Sequence, residues 1–136
     1  MTIVYAQETT LSVDDYVGVL AETSMREKRP LRNRGRIAEM LAGANFIVTA
    51  RENGGILGLA RCITDYAWIC YCAELAVRES AQGRGIGAGL ISRVNELLGP
   101  RIGLTLISEP NAVGFYERVG LTRLDSAFFR TRLDRE

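Results

Sequence analysis

From Gly83 to Gly89 glycine stands at every second position, in the run GRGIGAG, directly ahead of a stretch with helical periodicity. Glycine costs about 1 kcal/mol against alanine at each interior helix position. A chain that begins a helix this way needs bare backbone at that spot. One reason is anion binding, because unpaired N–H groups and the positive end of the helix dipole converge at a helix N-terminus, and glycine lets a phosphate come close. The other is packing: a glycine-rich loop can serve only tight helix-to-strand contact.

The rest of the chain bounds the choice. At 136 residues, 47% hydrophobic and 24% charged, it fits one domain (1–136) with one core. A net charge of +1 gives no global field to recruit nucleic acid or an anionic membrane, so neither is an expected partner. No apolar run reaches the 18 or more residues of a spanning helix, and residues 1–7 alternate too soon for a signal peptide, so a cytoplasmic location is expected.

Histidine is absent, which removes Ser-His-Asp and Cys-His nucleophile systems and any histidine base. Three cysteines, Cys62, Cys70 and Cys72, sit in apolar, strand-like sequence and are expected to be small buried hydrophobes in a reducing compartment. No metal site is expected, since Cys70 and Cys72 alone offer two ligands.

Element signals alternate along the chain. Residues 2–6 suit a strand, Ser12 N-caps a helix carrying Val13, Tyr16, Val17 and Leu20, and a short helix is expected over 33–41. Residues 45–49 and 56–63 flank an Asn53-Gly54-Gly55 turn, and 67–77 reads as a long strand. After the glycines, Ile86, Leu90, Val94 and Leu97 mark one helix face that Gly99-Pro100 ends. Residues 102–107 read as a strand, 111–119 as a helix, and 121–124 and 127–133 as closing strands. The order β-α-α-β-β-β-α-β-α-β-β predicts one α/β domain, a mixed and mostly antiparallel sheet flanked by helices.

Two phosphate-binding patterns compete for the glycines. Gly83-x-Gly85-x-x-Ala88 satisfies the dinucleotide fingerprint, with Glu109 about 20 residues on. Its context is wrong, because residues 78–82 intervene after the strand and too little chain follows for repeated βαβ units. The second pattern, Gln82-Gly83-Arg84-Gly85-Ile86-Gly87 five residues after Val77, resembles motif A of the GNAT superfamily of acyl-CoA-dependent N-acyltransferases. Residues 112–121, AVGFYERVGL, resemble that family's A-x-x-[F/L]-Y-x-x-x-G-F segment.

The resemblance implies a single GNAT-like domain that moves an acetyl group from acetyl-CoA directly to a primary amine of a small molecule or peptide, in a ternary complex. It implies that Gln82, Gly83, Arg84, Gly85, Ile86, Gly87 and Ala88 cradle the CoA pyrophosphate, and that Leu75, Ala76 and Val77 pair with the pantetheine arm. Tyr116 falls where a tyrosine commonly protonates the leaving thiolate. Glu74, the one carboxylate in the long central strand, is either the base or amine-binding group, or a member of a structural ion pair. The family's usual asparagine seven residues before the tyrosine is replaced by Glu109, and Asn111 does not inherit its role.

The acceptor region reads MREKRPLRNRGR, six basic residues against Glu27. It is either a solvated loop or, through Arg29 and Arg32, a receiver for an acceptor bearing a carboxylate or phosphate. The rival function is a non-catalytic acyl-CoA sensor with the same fold. The segment SAFFRTRL leaves a homodimer open, since it can pair on its own sheet or across a subunit boundary.

Overall fold

The computed structural model describes residues 2–136. Five strands, β1 (Ile3–Glu8), β2 (Phe46–Glu52), β3 (Gly55–Thr64), β4 (Ile69–Val77) and β5 (Gly103–Leu106), form one sheet in sequence order among the described residues. The first four are antiparallel, and β5 joins β4 in parallel. Helices α1 (Val13–Leu20), α2 (Arg34–Gly43), α3 (Ile86–Leu98) and α4 (Val113–Arg118) complete the α/β fold.

Local chemistry sets the element ends. The Ser12 hydroxyl accepts from Asp15 N at 3.0 Å, and the Asn33 side chain accepts from Arg36 N at 3.0 Å, each satisfying an orphan donor of a first helical turn. Between β3 and β4 the Asp65 carboxylate accepts from the amides of Ala67, Trp68 and Ile69, which holds its pKa below the ordinary value and tightens the turn. That turn delays β4 to Ile69, two residues later than the alternation suggests.

Alternation along the strands divides the core into two layers. Phe46, Val48, Ala60, Cys62, Cys70 and Cys72 face α3 through Ile86, Leu90 and Val94. Ile47, Ile56, Leu59 and Ala76 face α1 and α2 through Tyr16, Leu20 and Ile37. Fully burying one such aliphatic or aromatic side chain contributes roughly 1.5–3 kcal/mol.

The expected order holds from β1 through α4 and then stops. Residues 121–136 form neither of the two closing strands, and apart from the half-covered Leu121 they are exposed to solvent. A strand needs a partner to satisfy its backbone, and among the described residues this segment has none.

Candidate active site

A discontinuity in β4 creates the site. Arg61 opposes Glu74 and Cys62 opposes Cys72 across β3 and β4, so Ala73 is an extra residue, a β-bulge. On the other side, β5 pairs only with Ile69 to Cys72. Past the bulge the two parallel strands separate, and the β5-facing backbone of Leu75, Ala76 and Val77 lacks a strand partner among the described residues. The gap is a cleft of about 230 Å³ floored by Leu75 to Val77 and Gln82. Thr23, Ser24 and Met25 wall one side, and Ile107, Glu109 and Tyr116 the other.

The glycines lie at one end of this cleft. Gly83 and Gly85 take φ values of 82° and 75°, left-handed backbone that strains any other L-residue. Gly85 N-caps α3 without a side-chain hydrogen bond, and the first amide used in the turn is Gly89 N, donating to Gly85 O at 3.0 Å. Among the described residues, the amides of Gly83, Arg84, Gly85, Ile86, Gly87 and Ala88 have no partner within the chain. Six orphan donors around one helix start fit an anion such as a pyrophosphate.

The other two glycines answer to packing. A Cβ on Gly89 would sit 2.4 Å from Tyr5 Cζ, and one on Gly87 would meet Phe115 Cζ at 3.2 Å. The cluster therefore serves both readings drawn from the sequence. Its first half shapes the turn, and its second lets α3 approach β1 and α4.

The arginines near the turn are engaged elsewhere. Arg84 Nη2 donates to Glu52 Oε2 at 2.7 Å. Arg78 ties the carbonyls of Ile56 and Gly18 to the Glu22 carboxylate, which stitches α1 to β3. The Gln82 side chain folds back to Val77 O at 3.3 Å, fixing the passage from strand to turn.

Tyr116 lines the cleft from α4, and its ring stacks edge-on against Phe115 with centroids 5.1 Å apart. Burial, reinforced by the nearby Glu109 carboxylate, pushes its hydroxyl up to about 12. It is protonated at neutral pH and able to donate.

Glu74 faces the α1 layer from beneath the cleft and is fully buried. Arg61 donates to its two oxygens at 2.5 and 2.6 Å, and Arg29 Nε donates at 2.7 Å. Burial works to raise its pKa, but the two guanidinium groups outweigh burial and hold it below the ordinary carboxylate value. Of the two roles left open by the sequence, this geometry favours the ion pair.

The basic stretch is neutralised by acids from distant parts of the chain. Arg29 is spent on Glu74 and on the carbonyls of Ala73 and Lys28. Arg34 pairs with Asp14 and Arg36 with Asp134. Lys28, the only lysine, reaches across the cleft mouth to hold both oxygens of Glu109 at 2.9 and 3.0 Å. Of the two residues expected to receive an anionic acceptor, Arg29 is engaged, whereas Arg32, like Arg26, is exposed without a partner among the described residues. The pairing of Glu109 was not legible in the sequence, because its partners lie more than 80 residues away.

A mixed sheet splayed between parallel strands, with a glycine turn opening a helix at the end of the gap, is the framework of an acyl-CoA-dependent acyltransferase. The chain belongs to the GNAT acetyltransferase family: the model of the "Acetyltransferase (GNAT) domain" matches residues 15–134. It is accordingly an enzyme of the GNAT N-acyltransferase type.

Solved structures agree on the fold. A GNAT family acetyltransferase from Streptococcus pneumoniae is similar at a TM-score of 0.72 and 19% identity, covering 99% of this chain and 100% of that one. A candidate acetyltransferase from Deinococcus radiodurans is similar at 0.74 and 24%, covering 94% and 87%. An aminoglycoside N-acetyltransferase in complex with CoA is similar at 0.71 and 14%, covering 98% and 96%. A comparison with curated protein sequences returns no match. No helix among the described residues is long and apolar enough to cross a membrane.

Proposed function

We propose that this chain transfers an acetyl group from acetyl-CoA to a primary amine of a small molecule or peptide, with both substrates bound together. One observation carries the reading: the β5-facing side of β4 at Leu75 to Val77, which has no strand partner among the described residues, runs on through Gln82 into six unpartnered amides at 83–88. An extended amide-bearing arm ending in a pyrophosphate matches that line of donors and acceptors. Acetyl-CoA supplies the thioester; the chain's own residues bind, orient and move protons.

Backbone at Leu75 to Val77 aligns the arm, and the amides of Gly83 to Ala88 hold the pyrophosphate. Tyr116 donates its proton to the departing sulfur, a role that suits a hydroxyl kept neutral by burial. Positioning does most of the remaining work, and no protein nucleophile takes part. Cys72 lines the cleft and Cys70 is fully buried, but neither has a histidine to activate it.

The acceptor's ammonium is drawn to Glu109, loses one proton to water so that its nitrogen can attack the thioester carbonyl as the C–S bond breaks, and passes a second proton back to the Tyr116 oxygen that protonated the sulfur. The ε-ammonium of Lys28 already sits there, and it is chemically the same group as a primary amine substrate. Arg29, spent on Glu74, gives way to this carboxylate as the residue that selects the acceptor, and Glu74 serves to hold Arg29 and its loop in place. Three free buried thiols fit work in a reducing cytoplasm.

Calorimetric titration with acetyl-CoA, with NADH titrated in parallel, tests the cofactor reading. Binding of acetyl-CoA alone supports it, and binding of NADH alone sinks it. A panel of primary amines, followed by release of free thiol, then tests transfer. Acetyl-CoA binding without turnover on any amine would mark a sensor of the same fold.

A further inference from the structure

Lys28 carries the one side-chain amine of the chain, because every other basic residue is an arginine. Its backbone is pinned from both sides. Lys28 N donates to Met25 O at 2.8 Å, closing a short turn over Ser24–Glu27 that the Thr23 hydroxyl caps by accepting from Met25 N. Lys28 O accepts from Arg29 Nη1 at 3.0 Å, and the same guanidinium is anchored on buried Glu74 and on the Ala73 carbonyl in the β4 bulge. The central sheet therefore sets where this lysine starts from.

Its side chain ends at the cleft mouth. Glu109 holds the ammonium at 2.9 and 3.0 Å and lines the same cleft wall as Tyr116. The Glu109 carboxylate lies close enough to Tyr116 to help push its hydroxyl upward. Glu109 is fixed as firmly as Lys28: its carbonyl accepts from Ala112 N at 2.9 Å and from the Ser108 hydroxyl at 2.7 Å. The lysine side chain is half-exposed, so solvent reaches the ammonium to take a proton. A nucleophile tethered in this way meets its electrophile at a local concentration that no dilute free amine reaches.

We propose that the chain acetylates its own Lys28 and that this first turnover uncovers the acceptor site. The inference rests on the acetyl transfer proposed above and adds a modification site within the chain. The Lys28 ammonium gives one proton to water, and its neutral nitrogen attacks the carbonyl carbon of the acetyl thioester. The N–C bond forms as the C–S bond breaks. Tyr116 protonates the departing sulfur, and the second nitrogen proton returns to the Tyr116 oxygen. The products are Nε-acetyl-Lys28 and free CoA. Acetylation removes the lysine charge and with it the ion pair, so Glu109 is left open to the ammonium of a free amine. Transfer occurs within one copy, because Arg29 ties Lys28 to the bulge beside its own cleft.

Intact-mass spectrometry and tandem sequencing of the full chain, incubated with acetyl-CoA and no added amine, test the proposal. One acetyl group is expected on Lys28, gained with a first-order rate constant that does not change when the chain is diluted. Lys28→Arg, which keeps a cation for Glu109, should gain none at that position. The pre-acetylated chain should then show a KM for a free amine below that of Lys28→Arg by up to about fivefold, the worth of a half-exposed ion pair. Calorimetry with acetyl-CoA on the same sample separates the two levels of the argument. Absence of binding would sink the acetyl-transfer reading and this proposal with it. Binding with Lys28 left unmodified would overturn the proposal alone, and transfer to an added amine would then show that the reading itself stands. Uptake as fast in the urea-unfolded chain, uptake that quickens with chain concentration, or a pre-acetylated chain whose KM equals that of Lys28→Arg would each overturn it as well.

Discussion

Arg61 and Glu74 oppose each other across β3 and β4, both buried, with the guanidinium donating to the two carboxylate oxygens at 2.5 and 2.6 Å. The strand register sets this pairing, and Arg29 closes it from the loop before α2. Glu74→Gln leaves a buried cation unneutralised, and losses of about 3–5 kcal/mol are typical when one partner of a buried pair is removed. Urea unfolding should register a drop of that order. With Arg29 released, KM for the acceptor should rise more than kcat falls, by the same factor at neutral and high pH. A loss confined to neutral pH would instead return Glu74 to the role of base.

The same ion pairs fix how stability responds to acid. Glu74 has its pKa lowered because Arg61 and Arg29 overcome the effect of burial, and Glu8 has its pKa lowered chiefly by Arg51. A carboxylate whose folded pKa is depressed contributes fully above its unfolded value and loses that contribution as pH falls through the folded one. Thermal midpoints should therefore stay level from neutrality down to about pH 5, then fall below the ordinary carboxylate value of 4.5. In Glu74→Gln the acid-induced fall should be shallower, because one of the depressed groups is gone.

The acid role proposed for Tyr116 makes a sharp kinetic prediction. Positioned acids contribute about 100-fold or more to a rate, so Tyr116→Phe should lower kcat by about that factor while the affinity for acetyl-CoA stays unchanged. With the hydroxyl pushed up to about 12, the native rate should show no descending limb near pH 10, where an ordinary tyrosine ionises. Steady-state kinetics on both proteins across alkaline pH reads both effects.

The framework was legible in sequence because its signals are local. Ser12, Asn33 and Gly99 mark helix ends through bonds within a turn, and alternation along 45–77 marks three strands. Gly83 and Gly85 showed bare backbone, yet the reason for Gly89 lies on Tyr5, more than 80 residues earlier. Long-range partners explain the other gaps. Lys28 and Arg29 read as an exposed basic loop until Glu109 and Glu74 were brought to them, and residues 121–133 carry strand composition without a strand to meet. Composition reports what a segment can become, whereas pairing depends on what the fold places beside it.

Gly83 and Gly89 separate the two uses of the glycine run. Gly89→Ala forces a methyl group to within 2.4 Å of Tyr5 Cζ, and overpacking of that kind costs about 1–3 kcal/mol. Chemical denaturation should show the loss, and Tyr5→Leu in the same chain should recover part of it, since residues in contact couple. Acetyl-CoA affinity of the folded Gly89→Ala protein should be close to native. Gly83→Ala meets no neighbour, but its φ of 82° costs about 1–2 kcal/mol with a side chain. There the affinity for acetyl-CoA should fall.

Lys28 and Glu109 make the acceptor site testable without knowing the acceptor. A half-exposed ion pair is worth up to about 1 kcal/mol, so an incoming amine that displaces the lysine works against a factor of up to about fivefold. Lys28→Met should lower KM for amines by up to that factor and leave acetyl-CoA affinity alone. Glu109→Gln removes the carboxylate itself, and charge-assisted hydrogen bonds contribute about 1.5–3 kcal/mol, so KM should rise at least about tenfold while acetyl-CoA still binds. The opposite signs matter most. Both residues sit in one salt bridge, so a purely structural role would make both substitutions act in the same direction. Kinetics on the two variants with any amine that the native enzyme accepts decides between a strap that merely closes the cleft and a carboxylate that receives the substrate.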